Sequence, residues 1–75
     1  MSREIRIEIV GMADEAGAHR VAEALAKLPG VSHVRVDAGS GRATATIEKG
    51  VFVEHLLETV EEVGFMARLA RADDE

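Results

Sequence analysis

Between Glu4 and Ile9 the chain reads Glu-Ile-Arg-Ile-Glu-Ile, and the period then changes from two residues to three and a half within a dozen positions. The first stretch puts Ile5, Ile7 and Ile9 on one face and Glu4, Arg6 and Glu8 on the other, as in a strand with one buried side. Past Gly11, the positions Ala18, Val21, Ala22, Leu25 and Leu28 follow the i, i+3, i+4, i+7 rule of a helix with one apolar stripe. Asp14 is the expected N-cap, Glu15 suits the positive end of the helix dipole, and Pro29-Gly30 stops the helix. The spacing predicts a helix over Glu15 to Leu28.

The same switch then occurs again. Val34 and Val36 alternate with His33, Arg35 and Asp37; Gly39-Ser40-Gly41 makes a turn; Ala43, Ala45 and Ile47 alternate with Thr44, Thr46 and Glu48. This predicts a hairpin. Val53, Leu56, Leu57, Val60 and Val63 repeat the helical stripe, with Gly64 at the expected C-terminal position. Phe65, Ala67 and Leu69 form a short last strand, closing one domain over residues 1–70, and residues 71–75 are expected to be a disordered charged tail. The order βαββαβ with right-handed crossovers predicts an α+β, ferredoxin-like sandwich. It has a four-stranded antiparallel sheet with two helices on one face, and the other face is left to water.

Composition narrows the function. With 75 residues the chain has room for one small core. Its net charge of -5 would be repelled by phosphate backbones, and the open sheet face carries no aromatic ring to stack a base, so no nucleic-acid partner is expected. No window approaches the 18 or so consecutive apolar residues of a bilayer span, and the N-terminus has no apolar signal core. Membrane insertion is therefore not expected, and the cytoplasm is the expected location. There is no cysteine, which removes disulfides, thiolate metal sites and cysteine nucleophiles together. No Ser-His-Asp spacing, glycine-rich phosphate loop or paired carboxylates point to an enzyme.

Several segments in order carry a family likeness: Gly11-Met12 after the first strand; Arg20-Val21 and Ala24-Leu25; Leu28-Pro29-Gly30-Val31 followed by Val34 and Val36; Ala45 and Ile47; and Val60-Glu61-Glu62-Val63-Gly64-Phe65-Met66-Ala67. On these the chain resembles the heavy-metal-associated domains of small metallochaperones and of metal-transporting P-type ATPases, over nearly its whole length. The resemblance implies a βαββαβ domain that carries a soft metal ion on the loop after its first strand and hands it to a partner. In that family Gly-Met is followed by one residue and then Cys-x-x-Cys. Here the stretch is Gly11-Met12-Ala13-Asp14-Glu15-Ala16-Gly17, so Asp14 and Gly17 stand where the two thiolates would be. A carboxylate is a hard ligand and glycine has none, so Cu(I) loses the sulfur it prefers.

Three readings follow. In the first, the domain has lost its metal and persists as a docking or regulatory module for a metal transporter or reductase. Exposed Phe52 at the start of the second helix, with Glu54 and Glu58 beside it, would then form the contact patch. In the second, Asp14, Glu15 and His19 bind a divalent transition metal such as Zn(II), Ni(II) or Cu(II), since Glu15 and His19 are i, i+4 neighbours. Ordinary helix capping and a solvated stripe explain the same three residues. The third is an ACT-like sensor that binds a small molecule between paired domains. Met12 and Phe65 are expected to pack under the loop, Phe52 to staple against Leu56, and His33 and His55 to be solvated and far from His19.

Overall fold

A computed structural model describes residues 2–73. Its elements are β1 (Ser2–Val10), α1 (Glu15–Ala26), β2 (Val31–Asp37), β3 (Arg42–Glu48), α2 (Val53–Val63) and β4 (Met66–Asp73). The four strands form one antiparallel sheet in the order β2-β3-β1-β4. The predicted ferredoxin-like fold is thus the observed one.

The isoleucines of β1 set the core. Ile5 and Ile7 are fully buried, and across the β1/β3 register they face Ala45 and Ala43. Those small side chains leave room above the sheet for the leucines and valines of the helices. Val21 and Leu25 from α1 and Leu56 and Val60 from α2 fill that layer, and none of the four has measurable exposure. No polar or charged residue is buried among the described residues.

Two element ends differ from expectation, each for a local reason. Helix α1 stops at Ala26 rather than Leu28, because the residue before a proline is pushed out of the helical region; Lys27 to Gly30 form a turn in which the Leu28 amide donates to the Leu25 carbonyl at 3.1 Å. Strand β4 continues to Asp73 instead of ending at Leu69, its backbone paired with β1 as far as Glu4 opposite Asp73. Residues 71–73, assigned to the tail from sequence, therefore belong to the sheet, and residues 74–75 lie outside the described residues.

Both sheet edges contain a bulge, and each resolves a conflict of phase. Val31 and Val34 differ by three positions, so a regular strand would send them to opposite faces. The β2/β3 register shifts by one residue between Ser32 and Arg35, which lets Val31, Val34 and Val36 all turn toward the core. His33 takes up the shift with φ 53°, the only non-glycine residue at positive φ among those described. In β4 a shift opposite Arg6/Ile7 similarly keeps Ala67 and Leu69 in phase with Ile9 and Ile7 while Ala72 falls opposite Ile5. A left-handed conformation costs a non-glycine residue about 1 kcal/mol. His33→Gly should accordingly raise stability by about 1 kcal/mol, or about 4–8 °C in Tm for a domain of this size. Urea unfolding at unchanged slope checks this, and a lowered midpoint would argue against the bulge.

The β2/β3 turn is anchored to the first strand. The Gly39 amide and the Ser40 hydroxyl both donate to the Asp37 carboxylate, at 3.1 Å each. Gly41, at φ 70°, accepts a 2.7 Å hydrogen bond from the Ile9 amide, and a Cβ there would sit 2.9 Å from the Ile9 carbonyl oxygen. Only glycine fits that approach. It holds the turn against the end of β1, where the loop to α1 begins.

Candidate metal loop

Residues 11–14 leave β1 and enter α1 with Met12 turned inward, 7% exposed. Asp14 has extended backbone angles, and its Oδ1 accepts the Gly17 amide at 2.9 Å. The first helical bond runs from the Ala18 amide to the Asp14 carbonyl at 3.2 Å. Asp14 is thus the N-cap that the sequence pattern predicts, and the cap bond joins the two positions where the resemblance would place cysteines.

Gly17 is buried because other groups occupy the space where its side chain would be. A Cβ at that position would lie 3.0 Å from Cζ of Phe65, 3.4 Å from Asp14 Oδ1 and 3.6 Å from Cγ of Met12. Phe65 reaches this position from the α2/β4 connection, where the Gly64 and Phe65 amides bond back to the last turn of α2. The ring also passes within 3.6 Å of where a Cβ on Gly11 would be. Phe65 and Met12 therefore floor the loop, as expected from sequence.

The divalent-metal set does not assemble. Asp14 Oδ1 is used by the cap, and His19 Nε2 lies 3.1 Å from Glu23 Oε2, on a helix face where both side chains are mostly exposed. Among the described residues no three His, Cys, Asp or Glu side chains gather closely enough to hold a metal ion. His33, hydrogen-bonded to Ser32 at 3.2 Å, and His55 on α2 are exposed and stand apart from this loop.

Phe52 lies at the opposite end of the domain, at the N-cap of α2. It makes no side-chain cap bond, is 64% exposed, and meets the His55 ring edge-on with centroids 6.0 Å apart. Phe52, expected to staple against Leu56, leaves most of its ring in solvent. Val51, the residue before the cap, packs on the core instead, since only the N′ side chain points back over the helix start. Glu54 and Glu58, four residues apart on α2, are likewise exposed. Sequence reading put Met66 on the open sheet face but passed over Val10 beside it. Val10 and Met66 are opposite each other on β1 and β4, 61% and 68% exposed on the open sheet face.

The sequence pattern of the heavy-metal-associated domain matches residues 6–66, and the chain belongs to that family. Solved structures agree. The chain superimposes on a copper binding domain from HMA7, a P-type ATPase, with TM-score 0.91 at 27% identity, over 96% of this chain and 99% of that one. It is similar to the N-terminal domain of a potential copper-translocating P-type ATPase from Bacillus subtilis, with TM-score 0.89 at 26% identity, over 100% and 95% of the two chains. Oxidized MerP from Ralstonia metallidurans CH34 shares the fold at 22% identity, with TM-score 0.88 over 95% and 100%. Comparison with curated proteins returns no match. Among the described residues no helix is long and apolar enough to cross a membrane.

Proposed function

We infer that this heavy-metal-associated domain no longer carries the family's Cu(I) and works, without catalysing a reaction, as a docking or regulatory module in a metal-transport system. The observation that carries this reading is the 2.9 Å bond from the Gly17 amide to Asp14 Oδ1, in a chain with no cysteine. Where two thiolates would bracket an ion, a carboxylate satisfies the helix start and a phenyl ring fills the remaining space. Domains of copper P-type ATPases among its structural relatives support a metal transporter as partner; a reductase of the same system and a cytoplasmic setting remain part of the proposal. Phe52, Glu54 and Glu58 would supply the contact, an exposed ring with acidic neighbours suited to a basic patch.

Metal titration followed by native mass spectrometry tests the first half. The chain should retain neither Cu(I) nor Zn(II), Ni(II) or Cu(II) against a competing chelator, and a surviving one-to-one complex would overturn the reading. For the second half, binding to purified soluble domains of a metal-transporting ATPase should weaken about tenfold on Phe52→Ala, the size expected of an aromatic anchor. Unchanged binding by that variant would remove Phe52 from the contact.

A further inference from the structure

The open face of the sheet holds a charge pattern that the rest of this acidic chain does not share. Two registers meet on β3: Arg6 of β1 and Arg35 of β2 both lie opposite Thr44, giving a cross-strand row Arg35, Thr44, Arg6 with no acid in it. The next row is Asp37, Arg42, Glu8 and Arg68, in which Arg42 has an acid on either side.

Both acids are engaged elsewhere. Glu8 Oε1 accepts from Arg68 Nε at 2.9 Å and lies 2.8 Å from Nη2, while the Asp37 carboxylate takes the Gly39 amide and the Ser40 hydroxyl. Among the described residues, Arg6, Arg35 and Arg42 have no ion-pair partner. All three are exposed in a molecule of net charge -5. Short Thr44 between long arginines leaves an open depression on each side of β3, of about 490 Å³ toward Arg35 and about 380 Å³ toward Arg6, both bordered by Arg42 and Thr44.

We propose that this face docks an acidic helix of another protein, whose carboxylates enter the two depressions and pair with Arg35, Arg42 and Arg6. Spacing selects the helix. The depressions flank β3, so their arginines stand two strand separations apart, roughly 10 Å. Carboxylates at i and i+7 of a helix are about 10.5 Å apart on one face, with i+4 between them to meet Arg42. An extended strand offers same-face carboxylates only at about 6.8 or 13.6 Å, which misses the spacing.

The chain's own α2 carries Glu54, Glu58 and Glu61 at the matching intervals, yet it packs on the other side of the sheet. A copy docking that way would make a head-to-tail contact that closes into a ring or runs on as a filament; the occupant proposed is a different chain, and self-association is an outcome of the test. A duplex or a lipid surface presents charge far beyond the three arginines, so it would also meet Glu4 and the acidic remainder of the chain. This surface lies on the far side of the sheet from the helices and needs neither the metal loop nor Phe52.

The test is a titration of the isotope-labelled chain with an alanine-based helical peptide carrying glutamates at i, i+4 and i+7, read by amide chemical shifts. Saturable shifts should centre on residues 6, 35, 42 and 44. They should weaken about three- to fivefold for Arg6→Ala or Arg35→Ala, and about tenfold when the peptide's glutamates become glutamines or when salt is raised to about 1 M. Four results would overturn the proposal: no shifts; equal binding of the glutamine peptide; tighter binding of duplex DNA or phosphatidylglycerol vesicles at the same salt; or concentration-dependent self-association in sedimentation that Arg6→Ala abolishes. Amide spectra of the variants without peptide show that each is folded.

Discussion

Asp14→Cys with Gly17→Cys should give a chain that holds a single Cu(I) against a chelator, where the cysteine-free parent is proposed to hold none. The scaffold already brings the two positions together, since Asp14 Oδ1 lies 3.4 Å from the site of a Cβ on residue 17. Two sulfurs placed there fall within the span of two metal–thiolate bonds of about 2.3 Å each, and the helix start favours their ionised form. The metal-free variant should be less stable. Loss of the cap costs about 1 kcal/mol, and the new side chain at 17 meets Phe65 Cζ at 3.0 Å, so the apo Tm should fall by at least about 4–8 °C. Copper should restore the lost stability by mass action. Adding Phe65→Leu should relieve the crowding and recover part of the apo Tm. Native mass spectrometry and thermal unfolding with and without Cu(I) check these outcomes. If the double variant stayed metal-free, the missing sulfur would not be what separates this domain from its copper-binding relatives.

Leu56→Ala should bring the domain near its unfolding threshold. Leu56 has no exposed surface, and truncating such a leucine costs about 3 kcal/mol through lost burial and the cavity left behind. A domain of this size has about 4–11 kcal/mol in hand, so one substitution removes a quarter or more of it. The control is Leu69→Ala, the same chemical change on edge strand β4 where the side chain is 42% exposed. It should cost less than about 1 kcal/mol. Urea midpoints at constant slope separate the two, and equal losses would mean that α2 does not close the core as described.

How much of the metal loop could be read in advance depends on which contacts are local. Asp14 as N-cap was legible because a cap is decided within four residues, and the loss of thiolate chemistry follows from residue identity alone. The Asp14, Glu15, His19 set is a case in which spacing underdetermines the partner. His19 has an acid four residues away on either side, Glu15 and Glu23, and spacing does not choose between them; it pairs with Glu23. For Phe52 the sequence left a staple on Leu56 and an exposed contact patch both open, and the ring is mostly exposed, edge-on to His55.

Periodicity alone identified the six elements, their order and their buried faces, because each strand or helix repeats its apolar positions within its own length. Tertiary structure decided the remainder. The bulge at His33 and the extension of β4 to Asp73 depend on pairing with β3 and β1. So does the row of Arg35, Thr44 and Arg6, drawn from three strands that are far apart along the chain. Register between distant segments is set by how the buried faces fit one another, and no pattern within a single segment contains that information.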